Sequence, residues 1–264
     1  QTRDVQAAMD GLAAQPRAYE RLCHLFMQVR DIRKTLTRCR DTVLSEVELY
    51  EVKRFLLQLA LIVPVFSQIG GAYQGIAFTE EAGALSLLDP DGLKTAGFTI
   101  GGAYAKALSE AREEKRRLEI RLRTADEREK EELLLQRQLV VAREDEEELR
   151  VRAELSASLR PYLHALEKNA EKIGEMDYAI QKARLALSRG GARPVICEGG
   201  VRFDAMDNPE VADALKARGR AFTRVSIDAP EGCTVITGAN MGGKSVALKT
   251  LSLNVLLCQA GFFA

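Results

Sequence analysis

A glycine-rich motif near the end of the chain limits its fold more than any other feature of the sequence. Residues 238–245 read Gly-Ala-Asn-Met-Gly-Gly-Lys-Ser and fit the phosphate-binding pattern G-x-x-x-x-G-K-[ST] at every fixed position. Before the motif, residues 233–237 are mostly apolar and β-branched and predict a strand, and after it residues 246–259 predict an apolar helix. A strand, a glycine loop and a helix in this order predict a P-loop nucleotide-binding unit.

The motif also predicts which atoms hold the nucleotide. Glycines allow backbone N–H groups at a helix N-terminus to approach a phosphate closely. Lys244 would contact the β- and γ-phosphates, and the Ser245 hydroxyl would bind Mg²⁺. We therefore predict ATP and Mg²⁺ as cofactors, with Ser245 as metal ligand. The predicted binding set is Gly238, Ala239, Asn240, Met241, Gly242, Gly243, Lys244, Ser245 and Val246.

Residues 237–245 resemble the P-loop of the MutS family of DNA mismatch-repair and related ATPases. The usual form in that family is T-G-P-N-M-G-G-K-S-T, so Ala239 stands here in place of Pro and Val246 in place of Thr. Neither departure affects the lysine or the metal-binding hydroxyl, and phosphate binding is still expected. The departures leave two alternatives open, a mismatch-repair protein or a divergent branch of the family.

Three further segments resemble parts of the same family. Residues 261–264 are similar to the run that follows the P-loop helix, and residues 176–180 resemble the end of the long return helix. Residues 222–227 resemble the segment that leads into the first ATPase strands. In the family an aromatic residue there stacks on adenine, which makes Phe222 a candidate for nucleotide contact. The alternative for Phe222 is a buried position in a strand.

The resemblance implies that the chain is a fragment of a longer protein. In the family the Mg²⁺-binding aspartate (Walker B), the glutamate base and the signature loop follow the P-loop, so we predict no catalytic residue in this fragment. DNA-dependent hydrolysis of ATP to ADP and phosphate is implied for the parent protein only. The family also implies a homodimer that acts as an ATP-gated clamp on mismatched or branched duplex DNA, in mismatch repair or related DNA repair and recombination.

Helical patterns dominate the first part of the chain. Apolar residues recur every three or four positions over residues 22–43, which predicts one long helix that begins near Pro16. Residues 45–48, Ser-Glu-Val-Glu, predict a capping box at the start of a second helix, which Pro64 should end. Residues 67–99 are rich in Gly, Pro and Asp and predict loops with short helices.

The region 104–187 is strongly charged and predicts long helices. Apolar seams over 118–125 and 159–180 predict an antiparallel coiled-coil hairpin. Two positions for its tip stay open: residues 124–127, where a helix could restart, and residues 138–143. In the MutS family such a hairpin is the lever and clamp. Candidates for contact with DNA phosphates are Arg112, Lys115, Arg116, Arg117, Arg121, Arg123, Arg128 and Lys130. Because acidic residues lie among them, a solvated helix face is the alternative.

The overall organisation follows from these patterns. We predict a mainly α fold, with a helical core and a long coiled-coil hairpin, followed by the beginning of an α/β P-loop NTPase domain of the ABC type. The predicted domains are a helical core (lever) at 1–100, a coiled-coil arm at 101–190 and the first part of the ATPase domain at 191–264. In the last of these, residues 195–197 and 201–203 predict strands. A chromosome-maintenance ATPase of the ABC type fits less well, because there the P-loop precedes the coiled coil.

The amino-acid composition limits the binding partners that the chain can have. The chain has 38 basic and 38 acidic residues, so any DNA contact must be local. This neutrality keeps open an alternative, an ATPase whose arm grips a protein.

The five cysteines form no C-x-x-C pair and predict neither disulfides nor a zinc site. We find no apolar run long enough for a membrane helix and predict a cytoplasmic protein without a membrane contact.

Residues 78–80, Phe-Thr-Glu, match a mismatch-reading motif of the family. Because they lie within the helical region, we discount this match.

Overall fold

A computed structural model describes residues 2–69, 73, 76–95, 97–101, 104–240 and 242–264. Within these residues, helices predominate, and the only sheet has two antiparallel strands. The elements are α1 (Thr2–Ala14), α2 (Pro16–Phe26), α3 (Arg33–Asp41), α4 (Glu46–Ile69), α5 (Ala82–Leu88), α6 (Lys106–Leu122), α7 (Glu127–Leu159), α8 (Leu163–Arg189), β1 (Val201–Met206), α9 (Pro209–Lys216), β2 (Val225–Ala229) and α10 (Lys244–Gln259). The predicted mainly helical class is confirmed.

The chain divides into two compact units. The first, which we call the helical unit, comprises Glu20–Gln68 and Ala77–Gly174. The second, which we call the P-loop unit, comprises Gln1–Tyr19, Ile69–Ile76 and Glu175–Ala264. Helix α8 therefore begins in the helical unit and ends in the P-loop unit.

Helix α4 supplies much of the core of the helical unit. Its buried side chains there are Leu49, Val52, Phe55, Leu56, Leu59, Ile62, Val65 and Phe66. Among the described helices, α4 is the one that is long and apolar enough to cross a membrane by length and composition, with a mean hydropathy of 1.5 and half of that stretch buried. Its Lys53 is also buried and donates to Asp89 at 2.9 Å. This burial and pairing are typical of the core helix of a globular unit.

The start of α4 follows the sequence prediction, but its end does not. Ser45 and Glu48 form the predicted capping box, because the Ser45 backbone N–H donates to the Glu48 carboxylate at 2.9 Å and the Glu48 N–H donates to the Ser45 hydroxyl at 3.3 Å. The prediction that Pro64 ends the helix is wrong, since α4 continues to Ile69. Burial of Val65 and Phe66 on the continuing turn offsets the hydrogen bond that proline cannot donate.

The single long helix predicted from Pro16 is also wrong, because α2 ends at Phe26 and α3 begins at Arg33. The Asp31 carboxylate accepts hydrogen bonds from the backbone N–H and the guanidinium of Arg33, which favours a new helix start. The side-chain hydrogen bond from Arg33 lowers the pKa of Asp31 to about 2. The apolar seam itself is preserved across the break, with Leu22 and Leu36 fully buried.

Helices α6 and α7 pack against each other as an antiparallel pair. Ion pairs join Arg112 to Glu144 near one end and Arg121 to Glu129 near the other. Asp126 caps α7 by accepting from two backbone N–H groups, at 3.1 and 2.9 Å. The turn therefore lies at 123–126 and overlaps the first predicted tip position, 124–127, whereas residues 138–143 lie inside α7.

The apolar partner of α6 differs from the one that the sequence predicted. A buried cluster joins Ala111 and Leu118 of α6 to Leu133 and Val140 of α7. The prediction that residues 159–180 supply the partner seam is therefore wrong, because α7 offers buried apolar positions directly after the turn. Residues 163–180 instead lie in α8.

In the P-loop unit, β1 and β2 form the sheet, with Phe203 opposite Ile227. The prediction of a strand at 201–203 is confirmed, whereas those at 195–197 and 233–237 are wrong. A strand needs a neighbour for its backbone hydrogen bonds, and these two segments have none among the described residues. Accordingly, Ile196 is 96% exposed and Val235 is 75% exposed.

Candidate nucleotide site at the start of the last helix

The glycine-rich motif leads directly into α10. The helix begins at Lys244, with Gly243 as its N-cap residue, and no side chain caps it. The first N–H groups of any helix lack partners within the helix, and together with the helix dipole they favour an anion. The start of α10 can therefore accept a phosphate.

Two glycines of the motif are required by the backbone geometry. Gly243 has φ +83°, a left-handed conformation that a residue with a Cβ adopts only with strain. A Cβ on Gly242 would lie 2.9 Å from the carbonyl oxygen of Ala239, to which the Gly242 N–H donates at 3.1 Å. The loop thus folds back on itself in a way that only glycine permits at these two positions.

Lys244 lies across the loop that precedes it. Its ammonium donates to the carbonyl oxygens of Gly238 at 2.5 Å and Ala239 at 2.9 Å. These are neutral acceptors, and phosphate oxygens are stronger acceptors for an ammonium because the hydrogen bond then joins two charged groups. The residues present therefore fit a phosphate, whose oxygens would replace the two carbonyl oxygens as acceptors for Lys244.

The other predicted site residues occupy different positions relative to the loop. Ser245 and Val246 lie exposed in the first turn of α10, and Asn240 is exposed in the loop. Met241 lies outside the described residues. Phe222 is half-buried in the stretch just before β2, and its adenine contact stays a prediction. Within the described part of the chain, no group of three or more His, Cys, Asp or Glu could hold a metal. A role of Ser245 toward Mg²⁺ also stays a prediction.

A buried polar network holds the middle of α10, and the sequence did not predict it. The side-chain amide of Asn208 donates to the Thr250 hydroxyl at 3.0 Å, and that hydroxyl donates to the carbonyl of Val246 at 2.8 Å. The Asn254 amide donates to the carbonyl of Asp207 at 2.9 Å. Asn208 is the N-cap residue of α9, and its place directly before Pro209 is the signal that the sequence offered.

A buried lysine holds the other end of the same helix. Lys182 of α8 is 2% exposed and donates to the carbonyl of Ala260, the C-cap residue of α10, at 2.5 Å. Its ammonium lies 4.1 Å from the ring centre of Tyr178 and 4.6 Å from that of Phe262. A cation at a helix C-terminus and over ring faces is stabilised electrostatically. Tyr178 lies in residues 176–180 and Phe262 in residues 261–264. These are two of the segments whose sequences resemble the MutS family.

Several proteins with the same name are similar to part of this chain. Proteins named Endonuclease MutS2 match from Latilactobacillus sakei (36% identical over 128 residues, 48% of this chain and 16% of the relative), Ligilactobacillus salivarius (38% over 121 residues, 46% and 15%) and Listeria monocytogenes (32% over 132 residues, 48% and 16%). These matches support a relationship to the MutS family, of the MutS2 kind. The chain covers only 16% of the length of the first of these relatives. No protein-family profile matches the chain.

Proposed function

We propose that this chain is the part of a MutS-like protein that binds ATP and Mg²⁺ through residues 238–246. The observation that carries the proposal is the glycine-rich loop at the start of α10, in which Lys244 donates to the carbonyl oxygens of Gly238 and Ala239. Lys244 would bind the β- and γ-phosphates, and Ser245 would complete the coordination of Mg²⁺ with phosphate and water oxygens. Bound Mg²⁺ would neutralise phosphate charge. Hydrolysis would belong to the longer protein.

We further propose that the turn between α6 and α7 contacts DNA phosphates. Of the eight basic candidates, five are paired with carboxylates: Arg112, Lys115, Arg117, Arg121 and Lys130. Among the described residues, Arg116, Arg123 and Arg128 are exposed and have no ion pair. Arg123 and Arg128 flank the turn, with Asp126 between them, so two unpaired guanidinium groups lie at the same end of the helix pair. A free guanidinium binds phosphate without first losing a carboxylate.

The proposed DNA substrate is branched rather than mismatched duplex. A mismatch reader would need Phe78 free to insert between bases, but its ring packs edge-on against Phe66 with centroids 4.8 Å apart. The next residue is held as well, because Asn169 exchanges two hydrogen bonds with the backbone of Thr79, at 3.0 and 2.9 Å. These contacts favour a structural role for residues 78–80. The relatives that we report are named endonucleases, and mismatch recognition is not in that name.

A second candidate function is the gripping of a protein by the same helix pair. Leu135 and Leu139, one turn apart on α7, are 64% and 69% exposed, and they lie on the face opposite the buried Leu133 and Val140. Exposed leucines favour a protein over a phosphate backbone. The longer protein is proposed to be a cytoplasmic homodimer in either case, as the MutS resemblance implies.

The ATPase rate of the full-length protein would separate these functions. We expect stimulation by branched duplex, little or none by plain or mismatched duplex, and weaker stimulation at higher salt. The double variant Arg123→Ala/Arg128→Ala should reduce the salt dependence of DNA binding, by roughly one logarithmic unit of slope for each phosphate that the protein no longer neutralises. Arg117→Ala, which removes an arginine already paired with Glu113, is the matched control. Equal rates with every DNA and no salt-sensitive binding would contradict DNA as the partner and favour the protein.

A further inference from the structure

A chain of buried hydrogen bonds connects the start of α9 to the P-loop helix. Asn208 is 6% exposed, Thr250 is fully buried and Asn254 is 2% exposed. Asn208 uses both ends of its amide, since its oxygen accepts from the backbone N–H of Val211 at 3.3 Å and its nitrogen donates to the Thr250 hydroxyl at 3.0 Å. One side chain therefore caps α9 and holds α10.

The hydrogen bonds reach the turn that carries the predicted nucleotide ligands. The Thr250 hydroxyl donates its own hydrogen to the carbonyl of Val246, the residue directly after Ser245. Asn208, Thr250 and Asn254 each donate to an acceptor in the observed arrangement of α10 against residues 207–208. A shifted helix would leave these buried groups unpaired. The network therefore determines the position of α10 and also stabilises it.

We propose that Asn208 is a positioning residue for the nucleotide site. It acts through Thr250 and sets the orientation of α10, so that Lys244, Ser245 and the first N–H groups of the helix meet the phosphates together. Small displacements of groups that must act on one ligand are costly, because each hydrogen bond depends on distance and angle. This inference rests on the proposed binding of ATP.

The variant Asn208→Ser separates the two tasks of the side chain. Serine caps a helix about as well as asparagine, but its hydroxyl is too short to reach Thr250. The variant Thr250→Val removes the partner hydroxyl with little change of shape. We expect each variant of the full-length protein to weaken MgATP binding roughly tenfold, and the double variant to weaken it no further than either one, because both remove the same hydrogen bond. Binding is measured by titration calorimetry well below the melting temperature, where a loss of stability alone would leave the dissociation constant unchanged.

Ser156→Ala is the control, because Ser156 also makes a buried hydrogen bond, to the backbone N–H of Leu44 at 3.0 Å, but in the helical unit. It should lower the melting temperature and leave MgATP affinity unchanged. Wild-type affinity in both Asn208→Ser and Thr250→Val would overturn the proposal and leave Asn208 as a cap of α9 only. Additive losses in the double variant would also overturn it. A wild-type protein that binds no MgATP would instead overturn the proposed function on which the inference rests.

Discussion

The helix pair α6–α7 buries a cluster of apolar side chains and pairs several of its charges internally, whereas the stretch before the glycine-rich loop leaves its apolar side chains exposed. In the helix pair, Leu133 is 1% exposed and Glu144 lies between Arg112 and Lys115. Residues 233–240 are exposed throughout, and near their end the carbonyl oxygens of Gly238 and Ala239 accept hydrogen bonds from Lys244. Changes in the helix pair should therefore appear in stability, and changes in the loop should appear in ligand binding.

The largest stability effect is expected for Leu133→Ala, which removes a buried side chain of the α6–α7 cluster. The loss of buried surface and the cavity should lower the free energy of unfolding by about 3 kcal/mol, measured by urea denaturation. Leu135→Ala, two residues further along the same helix and 64% exposed, is the matched control and should change it by less than about 0.5 kcal/mol. Similar losses of stability in both variants, or weaker MgATP binding in either, would contradict the proposal that the helix pair determines stability and the loop determines ligand binding.

A smaller effect should appear in the pH dependence of the same helix pair. Burial raises the pKa of Glu144, but hydrogen bonds from Lys115 and Arg112 outweigh it, so that the pKa lies below its ordinary value. A carboxylate with a lowered pKa in the folded state contributes stability above its unfolded pKa of 4.5 and loses it as the pH falls through the folded pKa. Between pH 6 and pH 3 the wild type should lose roughly 1 kcal/mol more than Glu144→Gln, measured by denaturation at each pH. Parallel curves for the two proteins would show that the Glu144 ion pairs add no stability.

A stability effect of similar size is expected in the loop, for Gly243→Ala. The left-handed backbone at φ +83° should cost about 1 kcal/mol with alanine. Gly92→Ala is the matched control, because Gly92 also has a positive φ, +63°, and its added Cβ would meet nothing within 4 Å. The two variants should melt at similarly lowered temperatures, but only Gly243→Ala should weaken MgATP binding. Unchanged MgATP affinity in Gly243→Ala would contradict the assignment of the loop to phosphate binding.

The sequence predicted the features that depend on neighbouring residues. The capping box at Ser45 and the helix start at Asp126 both follow from side chains that bond to their own backbone within three residues. The helix after the P-loop and the strand at 201–203 were predicted for the same reason, since their patterns are local.

The features that the sequence missed depend on contacts between distant residues. The extension of α4 beyond Pro64 follows from burial of the next turn, which overrides a local signal. The predicted strand at 233–237 lacks a neighbouring strand among the described residues, and a β-branched run alone does not supply one. Asn208 and Lys182 contact α10 from positions 42 and 78 residues away from their partners, beyond the reach of any periodicity.

Binding of MgATP to the wild-type protein and to Lys244→Ala is the most direct test of nucleotide binding by the P-loop. We expect saturable binding by the wild type and at least ~100-fold weaker binding by the variant, because the variant loses a charge-assisted hydrogen bond to the phosphates. The melting temperature should change little, since the contacts of Lys244 in the free protein are exposed hydrogen bonds to the loop carbonyls. Equal MgATP affinity of the two proteins, or the absence of binding by the wild type, would contradict the account.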